Sequence, residues 1–288
     1  MNATLSALAN TLSSTIHADV ARALDEDLGN GDVTAQLVPA GQYARATIIS
    51  REDAVICGIP WATQVFHQIS PEIQLDWQVA EGDEIQAGAV LCKLYGTARA
   101  LLTAERCALN FLQTLSATAS LTHRYVKEVA GTRASILDTR KTLPGLRLAQ
   151  KYAVLAGGGI NQRIGLYDGI LIKENHIAAA GSIQAALNNA RALNANVPIQ
   201  IEVETLEQLQ NALDADATLI LLDNFSTTQL QEAVHINRQR AVLEASGGID
   251  LNNVREIAMT GVDRISIGSL TKHIHALDLS MRFQTESP

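Results

Sequence analysis

The sequence is poor in aromatic residues and has no surplus of basic charge. Aromatics make up 4% of the 288 residues and hydrophobic residues 47%, so the core must be built mainly from aliphatic side chains and alanine. The formal net charge of −8 at pH 7 argues against a nucleic-acid-binding surface, because such surfaces usually carry an excess of Lys and Arg. A local basic pocket remains compatible with it.

Signatures of several other protein classes are also missing. Cys57, Cys92 and Cys107 are far apart and form no CxxC pair, which argues against a disulfide framework or a zinc site and fits a reducing compartment. The first basic residue is Arg22, so the start of the chain lacks the charge of a secretory signal. No apolar run reaches the roughly 18 residues of a membrane span, and no GxSxG-like nucleophile motif occurs. We therefore expect a cytoplasmic protein with no membrane or nucleic-acid partner.

The first part of the chain has the pattern of an α+β domain. Aliphatic residues recur at helical spacing over residues 4–28, and Gly29 and Gly31 end that helix. Short strand-like segments separated by glycine turns follow over residues 43–103. A long amphipathic helix is predicted over residues 103–128.

The remainder alternates between apolar strand-like runs and helical stretches. Such alternation predicts parallel strands joined by right-handed crossovers. The runs cover residues 136–138, 169–173, 199–204, 219–223, 241–246 and 264–268. Six strands are compatible with an open or incomplete barrel and with a doubly wound sheet.

Polar residues stand at or near the ends of five of these runs. They are Asp138, Lys173, Glu202, Asp223 and Ser246. The carboxyl ends of parallel barrel strands carry the active site. One such residue alone often just meets solvent, but charged groups are costly to bury unless they are paired or used. Five at one edge favour a functional site.

Basic residues are concentrated between Thr139 and Lys173. Arg140, Lys141, Arg147, Lys151, Arg163 and Lys173 face a single acid there, Asp168. In a chain of negative net charge, this predicts a focused positive field for anionic substrates. A solvated helix face would account for Arg147 and Lys151, which are four residues apart. It explains Arg140, Lys141 and Lys173 less well, because these follow strands directly.

Two glycine turns follow the last two strands, at Ser246-Gly247-Gly248 and at Gly268-Ser269. Backbone N–H groups in such turns can cradle a phosphate, and the last loops of a barrel often do. Gly157-Gly158-Gly159 is different, because it ends a predicted helix and is expected to be a carboxyl-terminal cap.

Several motifs resemble those of the quinolinate phosphoribosyltransferase family, also called nicotinate-nucleotide pyrophosphorylase (carboxylating). The matching segments are Glu26-Asp27-Leu28-Gly29-Asn30-Gly31-Asp32, Ala104-Glu105-Arg106, Asn110-Phe111-Leu112, Asp138-Thr139-Arg140-Lys141-Thr142, Pro144-Gly145-Leu146-Arg147, Lys151-Tyr152-Ala153-Val154, Gly157-Gly158-Gly159, Leu171-Ile172-Lys173-Glu174-Asn175-His176, Leu222-Asp223-Asn224 and Glu244-Ala245-Ser246-Gly247-Gly248-Ile249. They span nearly the whole chain in order, and the Asp-Thr-Arg-Lys-Thr segment is highly specific.

The resemblance implies a fold and a reaction. The fold would be an N-terminal α/β sandwich domain over residues 1–115, with a tail over 273–288 packed on it, and an open α/β barrel over 116–272. The protein would be a pentosyltransferase of NAD biosynthesis that uses quinolinate, phosphoribosyl pyrophosphate and Mg²⁺, and forms nicotinate mononucleotide, pyrophosphate and CO₂. It would be a homodimer with the site at the subunit interface.

The resemblance also implies roles for individual residues. The quinolinate carboxylates would meet Arg140, Arg163 and Lys173, with Arg106 from the partner subunit. Lys141 would face phosphoribosyl pyrophosphate, Thr139 would be a further substrate-binding residue, and Glu202 and Asp223 would lie near the ribose and Mg²⁺. Ser246, Gly247, Gly248, Gly268 and Ser269 would hold the 5′-phosphate.

Two positions depart from the family pattern. Gln162 stands where the family usually has a histidine, and it can donate a hydrogen bond but carries no charge. Lys272 stands in place of a second histidine and could bind phosphate or face solvent.

Three alternative functions remain open at this point. One is a phosphoribosyltransferase of the same fold that acts on another base or in a molybdenum-linked pathway. Another is a carrier module, because residues 81–88 resemble a lipoyl-domain turn, although Lys93 lies in a strand-like run rather than at a hairpin tip. The third is a non-catalytic barrel in which Gln162 marks lost activity.

Overall fold

The structure, a computed structural model, describes residues 3–285 of the chain. Its first elements are α1 (Ala3–Thr11), α2 (Ser13–Leu28), a 3₁₀ turn (Thr34–Leu37), β1 (Tyr43–Ser50), β2 (Ala54–Val55), α3 (Ile59–Ile69), β3 (Gln74–Trp77), β4 (Glu84–Ile85), β5 (Val90–Thr97) and α4 (Ala98–Glu128). Those that follow are β6 (Ser135–Leu137), α5 (Arg147–Ala156), β7 (Ile170–Ile172), α6 (Glu174–Ala180), α7 (Ile183–Ala192), β8 (Ile199–Val203), α8 (Leu206–Asp214), β9 (Leu219–Asp223), α9 (Thr227–Asn237), β10 (Val242–Ser246), α10 (Val254–Met259), β11 (Arg264–Ser266), α11 (Ser269–Lys272) and β12 (Leu279–Thr285). No helix of the described range is long and apolar enough to cross a membrane.

The chain forms two compact units whose boundaries differ from the predicted ones. The first unit comprises residues up to 123, residues 143–158 and residues from 273 onward, and the second comprises residues 124–142 and 159–272. The predicted boundary near residue 115 assigned all of 116–272 to one domain. The segment 143–158 joins the first unit because α5 buries Ala149, Tyr152 and Ala153 in that unit's hydrophobic core.

The first unit is built on an antiparallel sheet with strand order β12-β1-β5-β3. Alternate residues of β1 are buried, among them Ala44, Ala46 and Ile48, as expected for a sheet with one face on a core. The carboxyl-terminal strand β12 pairs with β1, so the tail belongs to this sheet. Lys93 lies within β5 between Thr47 and Asp76, which is not the hairpin tip that a carrier module requires.

The predicted helix over residues 4–28 is interrupted at Leu12, between α1 and α2. The backbone of Leu12 leaves the helical region at φ −90° and ψ 5°. The hydroxyl of Thr11 donates to the carbonyls of Ala7 and Leu8, a type of bond that bends helices. Sequence periodicity did not predict this break, because the apolar spacing continues across it.

The second unit is a parallel sheet of six strands in the order β6-β11-β10-β9-β8-β7. Each strand from β7 to β10 lies next to its successor in the chain, and β6 pairs with β11. A doubly wound sheet would reverse its strand order at a switch point, and this one does not. The order is that of a barrel, and it is open because β6 and β7 form the two edges. Ile160 adds a single parallel bridge to Leu137 beside β6.

A buried carboxylate organises the start of α3 in the first unit. Glu81 is 2% exposed, and its Oε1 accepts the backbone N–H groups of Gly58 at 2.9 Å and Ile59 at 2.6 Å. Negative charge is favourable at a helix amino terminus. Burial is the larger effect, however, and it raises the pKa of Glu81 to about 7.

We expect Glu81→Gln to remove a pH-dependent loss of stability. Because the pKa of Glu81 in the folded protein is about 7 and its ordinary value is 4.5, the protonated form is favoured by folding. The stabilisation of the folded protein by protonated Glu81 is complete at pH values below the ordinary pKa. It is lost as the pH rises through the pKa in the folded protein, and the free energy of unfolding falls by about 3 kcal/mol in total. Urea unfolding at pH 5 and pH 8 should show this loss in the wild type and not in the variant.

The exposed carboxylate Glu72 provides the control for this experiment. Glu72→Gln should keep the pH dependence of the wild type. Identical pH profiles for wild type and Glu81→Gln would contradict the prediction.

Candidate active site

The carboxyl ends of the parallel strands gather the predicted polar residues at one edge of the sheet. Asp223 and Ser246 are the last residues of β9 and β10 and lie opposite each other in the strand register. Glu202 lies one residue before the end of β8, and Lys173 directly follows β7. Asp138 follows β6 and is fully buried. The convergence predicted from the sequence is therefore present.

Lys173 and Glu202 form an ion pair. The Nζ of Lys173 donates to both carboxylate oxygens of Glu202, at 3.1 and 2.8 Å. The Glu202 side chain is 10% exposed and that of Lys173 is 45% exposed, so the pair opens to solvent on the lysine side. The backbone N–H of Lys173 donates to His176 Nδ1. Lys173 was predicted to bind quinolinate and Glu202 to lie near the ribose and Mg²⁺, whereas the structure pairs the two side chains directly.

Arg140 and Arg163 lie close enough for their charges to interact. The pKa of Arg163 is lowered, first by desolvation and then by the positive charge of Arg140, while Asp168 opposes the shift. The Asp168 carboxylate accepts the N–H groups of Ile164 and Gly165, both at 2.8 Å, and so shapes the turn that follows Arg163. Two neighbouring guanidinium groups repel each other unless an anion lies between them, which suits a dicarboxylate.

Arg163 is also held inside the second unit. Its Nη1 donates to the carbonyl of Gly169 at 2.9 Å. It lines a cavity of about 200 Å³ together with Gln162, Gln200 and residues at the starts of strands, including Leu219 and Arg264.

Lys141 lies against the second glycine turn. A Cβ placed on Gly268 would lie 3.1 Å from Cδ of Lys141. The carbonyl of Lys141 accepts the hydroxyl of Thr271 at 2.9 Å, and its N–H donates to Thr139 Oγ1 at 3.1 Å. Within the described residues, the hydroxyl of Ser269 is buried without a hydrogen-bond partner. The lysine, the glycine turn and a hydroxyl without a hydrogen-bond partner therefore lie together, and these are groups that can bind a phosphate.

The first glycine turn is packed against Asn224. The Nδ2 of Asn224 donates to Asp223 Oδ2 at 2.8 Å, and its N–H donates to the carbonyl of Ser246 at 2.9 Å. A Cβ on Gly247 would clash with the side chain and N–H of Asn224. Gly247 and Gly248 both have positive φ, at 101° and 61°. Glycine is therefore required at Gly247 for two reasons, backbone conformation and close approach.

Other predicted residues have less defined surroundings. Arg106 is exposed on α4 in the first unit, and Lys272 is exposed at the end of α11. The interpretation of Arg147 and Lys151 as a solvated helix face is wrong for Lys151, which is 1% exposed on α5. The helical spacing was predicted correctly, but spacing alone does not reveal which face packs into a core.

Gln200 and Glu244, in the second unit, were not predicted as site residues from the sequence. The amide of Gln162 donates to Gln200 Oε1 at 2.8 Å, and Gln200 Nε2 donates to Glu244 Oε2 at 2.9 Å. Burial raises the pKa of Glu244, and the hydrogen bonds from Gln200 and Ser266 oppose this shift. The sequence signal that could have identified them is a polar residue inside each of two otherwise apolar strands. Parallel sheets are normally buried on both faces, so a polar side chain there needs a hydrogen-bond partner.

Comparisons with known proteins agree with this geometry. Residues 118–282 match the family described as quinolinate phosphoribosyl transferase, C-terminal domain, and residues 32–116 match its N-terminal domain. The chain belongs to the quinolinate phosphoribosyltransferase family. This membership covers both units and is independent of any single site residue.

Individual relatives are similar over almost their full length. The chain is 44% identical over 269 residues to the nicotinate-nucleotide pyrophosphorylase [carboxylating] of Mycobacterium leprae, covering 91% of this chain and 95% of that protein. It is 41% identical to the probable enzyme of the same name from Bacillus subtilis, covering 89% of each. The structure of the Francisella tularensis nicotinate-nucleotide pyrophosphorylase aligns with a TM-score of 0.91 at 45% identity, covering 94% of this chain and 96% of that one.

We expect Gly247→Ala to weaken the binding of inorganic phosphate at least tenfold, because this turn is predicted to hold the 5′-phosphate. The added methyl displaces Asn224, which packs against the turn and hydrogen-bonds Asp223. Positive φ strain adds a stability cost of about 1 kcal/mol. Calorimetric titration with inorganic phosphate and thermal unfolding measure the two effects separately.

Gly261→Ala is the matched control, because Gly261 also has a positive φ, at 94°, and faces only the side chain of Val234. It should lose similar stability and keep its affinity for inorganic phosphate. Equal affinities of both variants for inorganic phosphate would reject a phosphate site at Gly247.

Proposed function

We propose that this protein transfers the phosphoribosyl group from phosphoribosyl pyrophosphate to quinolinate with loss of CO₂, forming nicotinate mononucleotide and pyrophosphate for NAD biosynthesis. The observation that carries the proposal is the proximity of the Arg140 and Arg163 charges in a chain of net charge −8. Arginine binds a carboxylate through two parallel hydrogen bonds. Quinolinate presents two carboxylates, and the M. leprae and B. subtilis relatives are named for this reaction.

The chemistry requires positioning and charge more than a general base. The pyridine nitrogen of quinolinate is already a nucleophile, so the barrier lies in breaking the bond from ribose C1 to pyrophosphate. That step develops positive charge on the ribose, which Glu202 and Asp223 would stabilise, and negative charge on the leaving group, which Lys141 would stabilise. Arginines that grip the ring hold its nitrogen in line for attack. The new pyridinium charge then favours loss of the neighbouring carboxylate as CO₂.

The residues present fit a magnesium ion that is shared with the substrate. Glu202 and Asp223 stand on the adjacent strands β8 and β9 and offer the oxygen ligands that Mg²⁺ prefers. Among the described residues, no group of three or more His, Cys, Asp or Glu side chains could hold a metal ion. The pyrophosphate group and water would therefore supply the remaining ligands, and the ion would neutralise charge on the leaving group.

We also propose that the working enzyme is a homodimer. Arg106 is exposed on α4 of the first unit, and a partner subunit could present it to the carboxylates of quinolinate.

The three cysteines are free and buried, in keeping with a reducing cytoplasm. Both the dimer and its location can be tested independently of the reaction.

The second candidate is a phosphoribosyltransferase that acts on another base. The paired arginines favour a dianion over a neutral base, so nicotinate or an uncharged pyridine should compete poorly. Incubation with phosphoribosyl pyrophosphate, Mg²⁺ and an equimolar mixture of bases should give nicotinate mononucleotide from quinolinate, detected by mass. The reaction should stop when EDTA removes Mg²⁺. Failure to form this product at any Mg²⁺ concentration would reject the proposed function.

We expect Arg140→Ala to raise the KM for quinolinate at least about a hundredfold, because a buried charged hydrogen bond to one carboxylate is lost. The KM for phosphoribosyl pyrophosphate should change little. Steady-state kinetics with each substrate varied in turn measure both values. Arg124→Ala removes an exposed arginine of the second unit and should leave both constants unchanged. A wild-type quinolinate KM in folded Arg140→Ala would disprove this assignment.

A further inference from the structure

A chain of buried side-chain amides and carboxylates runs through the second unit to Gln162. Gln162 donates its amide N–H to Gln200 at 2.8 Å, and Gln200 donates in turn to Glu244 at 2.9 Å. Gln200 is 6% exposed and Glu244 is 1% exposed. The backbone N–H of Gln162 donates to Oδ1 of Asp138 at 2.8 Å, and Asp138 is also fully buried. Gln162 is thus fixed at both its side chain and its backbone.

The position of this chain connects it to the arginines of the site. Asp138 immediately precedes the Thr139-Arg140-Lys141 segment, and Gln162 immediately precedes Arg163. Fixing Gln162 between Asp138 and Gln200 therefore sets the distance between the two backbone segments that carry Arg140 and Arg163. The charges of those two arginines already interact, so a small displacement of either segment changes how they face an anion.

The Gln200 side chain satisfies both of its neighbours without a shared proton. Its carbonyl oxygen accepts from Gln162 and its NH₂ group donates to Glu244, so the amide supplies an acceptor and a donor at one end of the side chain. A buried donor or acceptor that loses its partner destabilises the folded arrangement, because it gives up its hydrogen bond without regaining one to water. This arrangement uses the Gln162 amide inside the protein rather than on a ligand.

We infer that Gln162 and Gln200 are positioning residues for dicarboxylate binding, with Glu244 as the anchor, and that Gln162 acts by holding Arg163 in register with Arg140. The inference rests on the proposed function for its kinetic consequence. It replaces the direct ligand contact predicted for Gln162 with an indirect one. Gln200 and Glu244 become determinants of quinolinate affinity although neither is placed at the ligand.

The first test is a double-mutant cycle of Gln162→Leu and Gln200→Leu. Each single variant should raise the KM for quinolinate about tenfold, in line with one buried hydrogen bond. The kcat and the KM for phosphoribosyl pyrophosphate should stay within about twofold. This is expected when a variant weakens the binding of quinolinate equally in the ground state and in the transition state. If Gln200 acts through Gln162, the double variant should be no worse than either single one.

The matched control is Gln210→Leu. Gln210 is an exposed glutamine of α8 whose Nε2 donates to Asp214 at 2.8 Å, and its replacement should change no kinetic constant. A wild-type quinolinate KM in Gln200→Leu would overturn the inference. Multiplied effects in the double variant would also overturn it, because they would mean that Gln162 contacts the ligand independently.

The second test uses Gln200→Glu and serves also if Gln200→Leu does not fold. A glutamate there can accept from Gln162 but can donate to Glu244 only while the two carboxyl groups share a proton, since two adjacent carboxylates cannot both ionise readily. The surrounding charged groups are Arg264 beside Glu244 and Arg163 and Asp168 in the same cavity. At neutral pH, the quinolinate KM of Gln200→Glu should be raised about tenfold, while the kcat and the KM for phosphoribosyl pyrophosphate should stay within about twofold. A quinolinate KM equal to that of wild type would count against the inference.

Hydrogen exchange separates this inference from the proposed reaction. In Gln200→Leu, the backbone amides of residues 160–163 should exchange faster than in wild type, and in Gln210→Leu they should not. Unchanged exchange in Gln200→Leu would reject the positioning role whatever the enzyme catalyses. A wild type that forms no nicotinate mononucleotide would reject the proposed function, and the exchange measurement would still decide whether Gln200 holds this segment.

Discussion

The parallel register of the second unit is the constraint on which the candidate site depends. β8, β9 and β10 are paired so that Asp223 lies opposite Ser246 and Glu202 opposite Leu221. Because the strands run in the same direction, every polar residue at a strand end emerges at the same edge. A shift of one residue would turn each side chain to the other face of the sheet. Correct strand pairing therefore brings these polar residues to one edge of the sheet.

The cationic residues of the site have different surroundings. Lys173 is paired with Glu202 through two hydrogen bonds, whereas the positive charge of Arg140 contributes to the lowered pKa of Arg163. Like charges that are held close together disfavour the charged form of each group.

Close backbone approach shapes the two glycine turns at the strand ends. Gly247 leaves room for Asn224, and Gly268 leaves room for Lys141, so two glycines allow two polar side chains to reach their positions. The barrel interior contributes a different kind of support, two hydrogen-bonded amides that end on the buried Glu244. Hydrogen bonds between buried polar groups are stronger than those in water and restrict the geometry of the groups they join. Both devices use backbone and interior groups to orient charges at the surface.

The sequence by itself determined the strand–helix alternation, the polar residue at each strand end and the cationic composition of residues 139–173, because these follow from local periodicity and charge. It could not choose between an open barrel and a doubly wound sheet, since strand order depends on pairing over long distances. It placed Lys151 on a helix but not in a core, because burial depends on what packs against that helix. The pairing of Lys173 with Glu202 and of Gln162 with Gln200 joins residues 29 and 38 positions apart. Only the tertiary structure decides such contacts, since side chains choose their partners after the strands have fixed their distances.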